Sequence, residues 1–208
     1  MLAVKVALKK VVLPKVRLEW PNAAAHLEYY LGNNGGAAYR MNLRGMLRDV
    51  PSARELYRTE LREAMVFVEK NLKTEGTYKI TSGLESDGSN RKAESKDWFY
   101  AVGGYDAWGK GTVTVKCPKG DSEYTLQFKY IVEDRYNWDT GKSVTIGLIT
   151  VTDHFMGEWH RQGLAREFQL IGIETVTIRW KKGEIDKVVA DPGSLPTGGQ
   201  GGRRGGGR

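Results

Sequence analysis

The chain has 208 residues, 40% of them hydrophobic and 27% charged, a length and composition that suit a folded domain and exclude a disordered chain. Its one cysteine, Cys117, excludes an intrachain disulfide, and no apolar run is long enough for a membrane span, so the fold must stand on packing in water. The formal charge is +7, of which Arg203, Arg204 and Arg208 in a glycine-rich tail supply +3, leaving a mildly basic +4 for the rest.

From the N-terminus, valine, leucine and lysine alternate over Met1 to Lys15, which predicts a strand or a basic leader within residues 1–22. The lysines fall inside the apolar stretch and no small-residue cleavage site follows, so no signal peptide is recognisable. Trp20-Pro21-Asn22 reads as a turn and cap before a short helix, Ala23 to Leu31, closed by Gly32. Ser52 and Glu55 have capping-box spacing, and Leu56, Leu61, Ala64, Met65 and Val68 recur at helical intervals up to Asn71.

After a strand-like Thr77 to Thr81, the polar stretch Ser82 to Lys96 predicts a mobile or ligand-facing loop. Strands are predicted at Trp98 to Val102, Gly111 to Lys116, Tyr124 to Val132 and Ile146 to Val151, with short turns that imply antiparallel pairing. Thr152 and Asp153 cap a further helix reaching about Glu167, and Gln169 to Trp180 returns as a strand. The fold class is therefore α+β: N-terminal helices followed by a mainly antiparallel β-sheet with one late crossing helix. Residues 23–190 form one domain, and 191–208 a disordered Gly/Arg-rich tail able to hold phosphate-rich partners.

Polar groups concentrate between Glu133 and Phe168. Glu133, Asp134, Tyr136, Asn137, Asp139 and Lys142 directly follow the strand that ends at Val132, where scaffolds commonly present functional groups. Asp153 and His160 share one face of the next helix, and His154 and Arg161 a neighbouring one. A carboxylate can hold a metal or a water, histidine can move a proton near neutral pH, and arginine can neutralise growing phosphate charge. The candidate catalytic residues are Asp134, Tyr136, His160 and Arg161, and the candidate substrate-binding residues are Asp139, Lys142, Asp153 and His154. Structural alternatives stand beside five of these: Asp134 and Asp139 as turn residues, Tyr136 as cover for a core edge, His160 as the border of an apolar stripe, and Arg161 as a solvated surface residue. His26 reads as a core-border histidine. Trp98, Phe99, Tyr100, Tyr105 and Trp108 read as core aromatics, with binding of bases or sugars as the alternative.

The runs from Ser95 to Tyr105, Asp134 to Lys142 and Phe155 to Phe168 resemble C-terminal domains of bacterial polymorphic toxins and secreted effectors, over roughly Ala23 to Trp180. Asp134-Arg135-Tyr136, followed later by His160-Arg161, is also similar to the Asp-x-Tyr-Asp and His-Arg elements of colicin M-type bacteriocins, which cut lipid II. Asn137 stands where that family has its second aspartate, and the His-Arg pair lies further along. The resemblance implies an antibacterial toxin or effector, secreted or delivered into a target bacterium. It would be a phosphoester hydrolase acting on lipid II or nucleic acid, with Mg²⁺ as cofactor and an immunity protein as partner. Asp134 would be its main acid, Tyr136 that acid's neighbour, and His160 with Arg161 the phosphate-side pair. The alternatives are a non-enzymatic nucleic-acid or phosphate-binding protein, and a structural subunit of a secretion or phage assembly.

Overall fold

The computed structural model describes residues 2–82, 86–117, 120–138, 143–146, 149–191 and 195. Residues Leu2–Glu19 are helical, not a strand or leader: α1 (Leu2–Ala7), a π-helical turn (Leu8–Val12) and α2 (Leu13–Glu19). Leu8, Val12, Leu13 and Val16 are buried, so the burial follows a helical interval that the valine–lysine alternation concealed.

Pro21 occupies the first turn of α3 (Pro21–Gly32), a position that tolerates a missing N–H. No side chain of the preceding residue caps this helix. The Asp97 carboxylate does so from elsewhere in the chain, accepting from Asn22 N (3.2 Å), Asn22 Nδ2 (2.8 Å) and Ala23 N (2.8 Å). Asn33, at φ 54°, ends α3 in the left-handed conformation that asparagine tolerates. Then come β1 (Tyr39–Arg40), α4 (Leu43–Asp49), capped by Asn42, and α5 (Pro51–Asn71). The Ser52 hydroxyl donates to the Glu94 carboxylate instead of closing the expected capping box.

The stretch read as one polar loop contains β3 (Ser86–Ser89), after β2 (Gly76–Thr81). Trp98 to Val102 is not a strand: α6 (Lys96–Ala101) starts at Ser95, whose hydroxyl accepts from Trp98 N at 3.2 Å. The cap outweighs the β preference of three adjacent aromatics. The remaining elements are β4 (Gly104–Lys116), β5 (Glu123–Tyr136), β6 (Ser143–Ile146), β7 (Ile149–Thr152), α7 (Asp153–Arg161), β8 (Phe168–Lys181) and α8 (Ile185–Ala190). The single strand expected at Ile146 to Val151 is instead the hairpin partner pair β6 and β7, and α7 stops at Arg161, short of Glu167.

The fold is α+β, with a mixed sheet in the order β1-β8-β5-β4-β2 and β3 also paired to β4. β2 and β3 run antiparallel to β4, while β1 lies parallel to β8, with Tyr39 opposite Leu170. The chain forms two compact units. One comprises Met1–Tyr57, Gly83–Trp108 and Tyr130–Ile173, and the other Arg58–Ser82, Gly109–Lys129 and Glu174–Arg208. In the first, Tyr30, Tyr57, Trp98, Tyr130 and Trp159 are buried. In the second, Tyr124 stacks on Trp180 at 4.9 Å, and Glu69 Oε1 accepts from Trp180 Nε1 (3.1 Å) and Gly183 N (3.0 Å).

Tyr30, fully buried in α3, donates its hydroxyl hydrogen to Met156 O of α7 at 2.6 Å. Tyr30→Phe should lower stability by about 1–2 kcal/mol, the cost of losing a buried hydrogen bond, as read by urea denaturation. A variant as stable as the parent would show that this bond does not fasten α7 to α3.

Candidate functional site

The site lies in the first unit, where the end of β5 meets α7 and the start of β8. Tyr130 and Val132 are buried at alternate positions of β5, and Asp134 and Tyr136 continue the same alternation, each half-buried. Asp134 and Tyr136 are therefore part of the strand rather than a turn after it. Burial pushes the Asp134 carboxyl up to about 7; the charge of Asp106 on the adjacent β4 adds to the rise, and a hydrogen bond from the Arg135 backbone opposes it.

Tyr136 stacks on Phe168 of β8 with ring centroids 4.9 Å apart and planes 16° from parallel. His26 meets Tyr136 edge-on at 6.1 Å and Tyr39 at 4.9 Å, while Trp138 lies 5.9 Å from both Tyr30 and Tyr136. His26 is buried and donates from Nδ1 to Ala101 O at 2.7 Å, and burial lowers its pKa. It is a core residue, as its sequence context suggested. The indole N–H groups of Trp138 and Trp159 are buried with no acceptor among the described residues. Gly157 lets α7 approach, since a Cβ there would lie 3.0 Å from Trp138 O.

A second group of side chains is ionic. Arg135 Nη2 donates to Glu167 Oε2 at 3.1 Å, and His160 Nε2 lies 3.8 Å from the same oxygen. Glu167 N donates to His160 Nδ1 at 3.5 Å, so the neutral ring carries its hydrogen on Nε2, toward the Glu167 carboxylate. Arg161 is exposed and held by Glu158 through Nε (3.0 Å) and Nη2 (2.6 Å). That guanidinium, with Gln162, holds the Glu158 carboxyl below the usual range.

The structure thus joins Tyr136 to His26, Tyr30, Trp138 and Phe168, and sets His160 and Arg135 on the same Glu167 carboxylate. His154 is exposed on α7 and Asp153 opens that helix. Asp139 and Lys142 lie outside the described residues. Asp106 is missing from the sequence-based candidates because the strand expected there starts at Gly111, whereas β4 starts at Gly104. Glu167 is missing as well, since it has the spacing of an ordinary surface residue and joins His160 only because the chain turns back after α7. Among the described residues no group of three or more histidine, cysteine, aspartate or glutamate side chains could hold a metal ion. No described helix is long and apolar enough to cross a membrane.

No protein-family model matches the chain, and no curated protein is similar to it. Among solved structures, the chain is similar to PaeM, a colicin M-like bacteriocin produced by Pseudomonas aeruginosa, at 14% identity and a TM-score of 0.40, covering 78% of this chain and 52% of that one. Two crystal structures of pectocin M2 are similar at 12% and 15% identity, with TM-scores of 0.31 and 0.30, covering 76% and 77% of this chain. The chain spans about half the length of these proteins, 48% and 53% for the pectocin structures.

Proposed function

We propose that the chain is an antibacterial toxin or effector domain that hydrolyses a phosphoester, on lipid II or on nucleic acid. The observation that carries this reading is Asp134: a carboxyl that titrates at about 7 can both give and take a proton at physiological pH. The resemblance of Asp134-Arg135-Tyr136 and His160-Arg161 to the colicin M-type elements supports the toxin part of it.

In this mechanism Asp134 transfers the proton at the reacting oxygen, and the half-buried Tyr136 beside it limits water. His160, oriented by Glu167, and Arg161 would be the groups that meet the phosphate. The Trp138 N–H, which meets no acceptor among the described residues, is a donor that a substrate oxygen could satisfy. Asp106, exposed on β4, is a hard oxygen donor whose charge acts on Asp134, and one carboxylate with substrate phosphate is a usual donor set for Mg²⁺, which leaves the Asp134 carboxyl to carry the proton. Mg²⁺ bound there would supply charge neutralisation to the phosphate. An immunity protein would be the partner that protects the producing cell.

The test is growth of bacteria expressing the chain in the cytoplasm or exported to the periplasm, beside Asp134→Ala and His160→Ala variants with unchanged circular dichroism. Killing only after export, lost in both variants, is the result for lipid II. Killing only from the cytoplasm assigns a nucleic-acid target. No killing from either compartment sinks the toxin reading.

A further inference from the structure

We propose that the exposed side of the N-terminal helices, with Trp20, Phe99 and Tyr100, docks on the surface of an anionic lipid bilayer. This goes beyond the hydrolase reading and stands without it.

The first observation is where the charge lies. Residues 21–200 carry 24 Lys and Arg against 24 Asp and Glu, so they are neutral as a whole. Apart from the tail arginines, the excess comes from the first twenty residues, where Lys5, Lys9, Lys10, Lys15 and Arg17 oppose only Glu19. Lys9, Lys10 and Lys15 are exposed, whereas Arg17 is paired with Glu28.

The second observation is apolar. Leu8, Val12, Leu13 and Val16 already fill the inward side, yet Val6, Val11 and Leu18 remain on the surface, with exposures of 44%, 53% and 87%. An aliphatic residue left that open among lysines suits an interface with an apolar layer beneath a charged one. A nucleic acid would use the lysines but would gain nothing from Leu18.

The third is aromatic. Trp20, at the end of α2, lies 5.1 Å from Tyr100, which in turn lies 5.1 Å from the exposed Phe99. Lys92 Nζ sits 5.3 Å from the centre of the Tyr100 ring. Asp97 fixes this arrangement by binding the start of α3. Tryptophan and tyrosine beside lysine and leucine form the side-chain set that settles at headgroup level. Attraction to anionic headgroups comes from each free lysine, and burial of Leu18 and Phe99 adds the part that salt does not screen.

The experiment is sedimentation of the full chain with vesicles of phosphatidylcholine alone, or with about one third phosphatidylglycerol. Binding is expected only to the anionic vesicles. The triple variant K9E/K10E/K15E should lose at least ~30-fold in partitioning. Leu18→Ser with Phe99→Ser, lysines intact, should lose about tenfold. Deletion of 201–208 should leave most of the binding in place. Equal binding to neutral vesicles, loss on tail deletion alone, or an unaffected triple variant would overturn the proposal. So would duplex DNA bound as tightly as the vesicles, with Leu18→Ser and Phe99→Ser without effect on either.

Discussion

Asp134→Asn is expected to make the protein more stable at pH 8 while cutting the proposed hydrolysis by at least ~100-fold, the usual contribution of general acid–base catalysis. The stability sign follows from the titration. The folded carboxyl titrates at about 7, above the ordinary value of about 3.9 for an unfolded chain. Between those values the folded protein keeps a proton that the unfolded chain has shed. Asp134's contribution is therefore most favourable below about pH 4 and is lost as pH rises through 7. Above that, a carboxylate is held among groups that desolvate it and beside Asp106. Linkage sets a ceiling of about 4 kcal/mol, and solvent reaching the half-buried group reduces this to about 2 kcal/mol. Asparagine never ionises, so the variant should melt about 4–8 °C higher at pH 8 and close to the parent at pH 4. Thermal denaturation at the two pH values checks it. A variant less stable at both would make Asp134 an ordinary structural aspartate and remove the basis of the proposed mechanism. A gain in stability coupled to a loss of activity is the pattern of a group kept for chemistry at the expense of folding.

How much of this was legible in the sequence depended on whether the signal was local. The long helix α5 was evident from Leu56, Leu61, Met65 and Val68, whose helical recurrence needs no tertiary partner. β5 and β8 were evident too, since a run such as Tyr124 to Val132 has few other uses. The N-terminal helices were misread because valine and lysine alternate over the same residues that bury Leu8, Val12 and Val16 on one side. Two periods fit the segment, and the core chose between them. α6 was misread for a different reason: Trp98-Phe99-Tyr100 favours strand intrinsically, but the Ser95 cap and Gly103, at φ 69°, bound a helix. At the site, the sequence showed which residue types gathered near β5. It could not show that Glu167 would reach His160, which depends on α7 ending at Arg161 and the chain turning back, or that the charge of Asp106 would act on Asp134, which depends on β4 lying beside β5.

Trp98→Ala should cost about 3–5 kcal/mol, a large fraction of the total stability of an ordinary domain. Trp98 is 1% exposed, and its indole occupies the space left by Gly45, where a Cβ would stand 3.2 Å from Trp98 Cζ2. Its Nε1 donates to Asp49 Oδ2 at 3.2 Å, and its carbonyl accepts from Asn90 Nδ2 at 3.2 Å, so the residue ties α6 to the end of α4 and to the start of the segment before α6. Removal of the ring leaves a cavity that backbone held at both ends cannot easily close. Asp49 would keep Arg48 at 2.7 Å and 3.0 Å, so the loss is chiefly one of packing and not of an abandoned charge. Trp98→Phe retains most of the ring and loses the hydrogen bond, and should cost about 1–2 kcal/mol. The series, measured by urea denaturation, also decides between the two readings of this aromatic group. A platform for bases or sugars would lose binding in Trp98→Ala with its stability intact. A core residue would lose stability in proportion to the volume removed, while the fraction that remains folded in the cold keeps its activity.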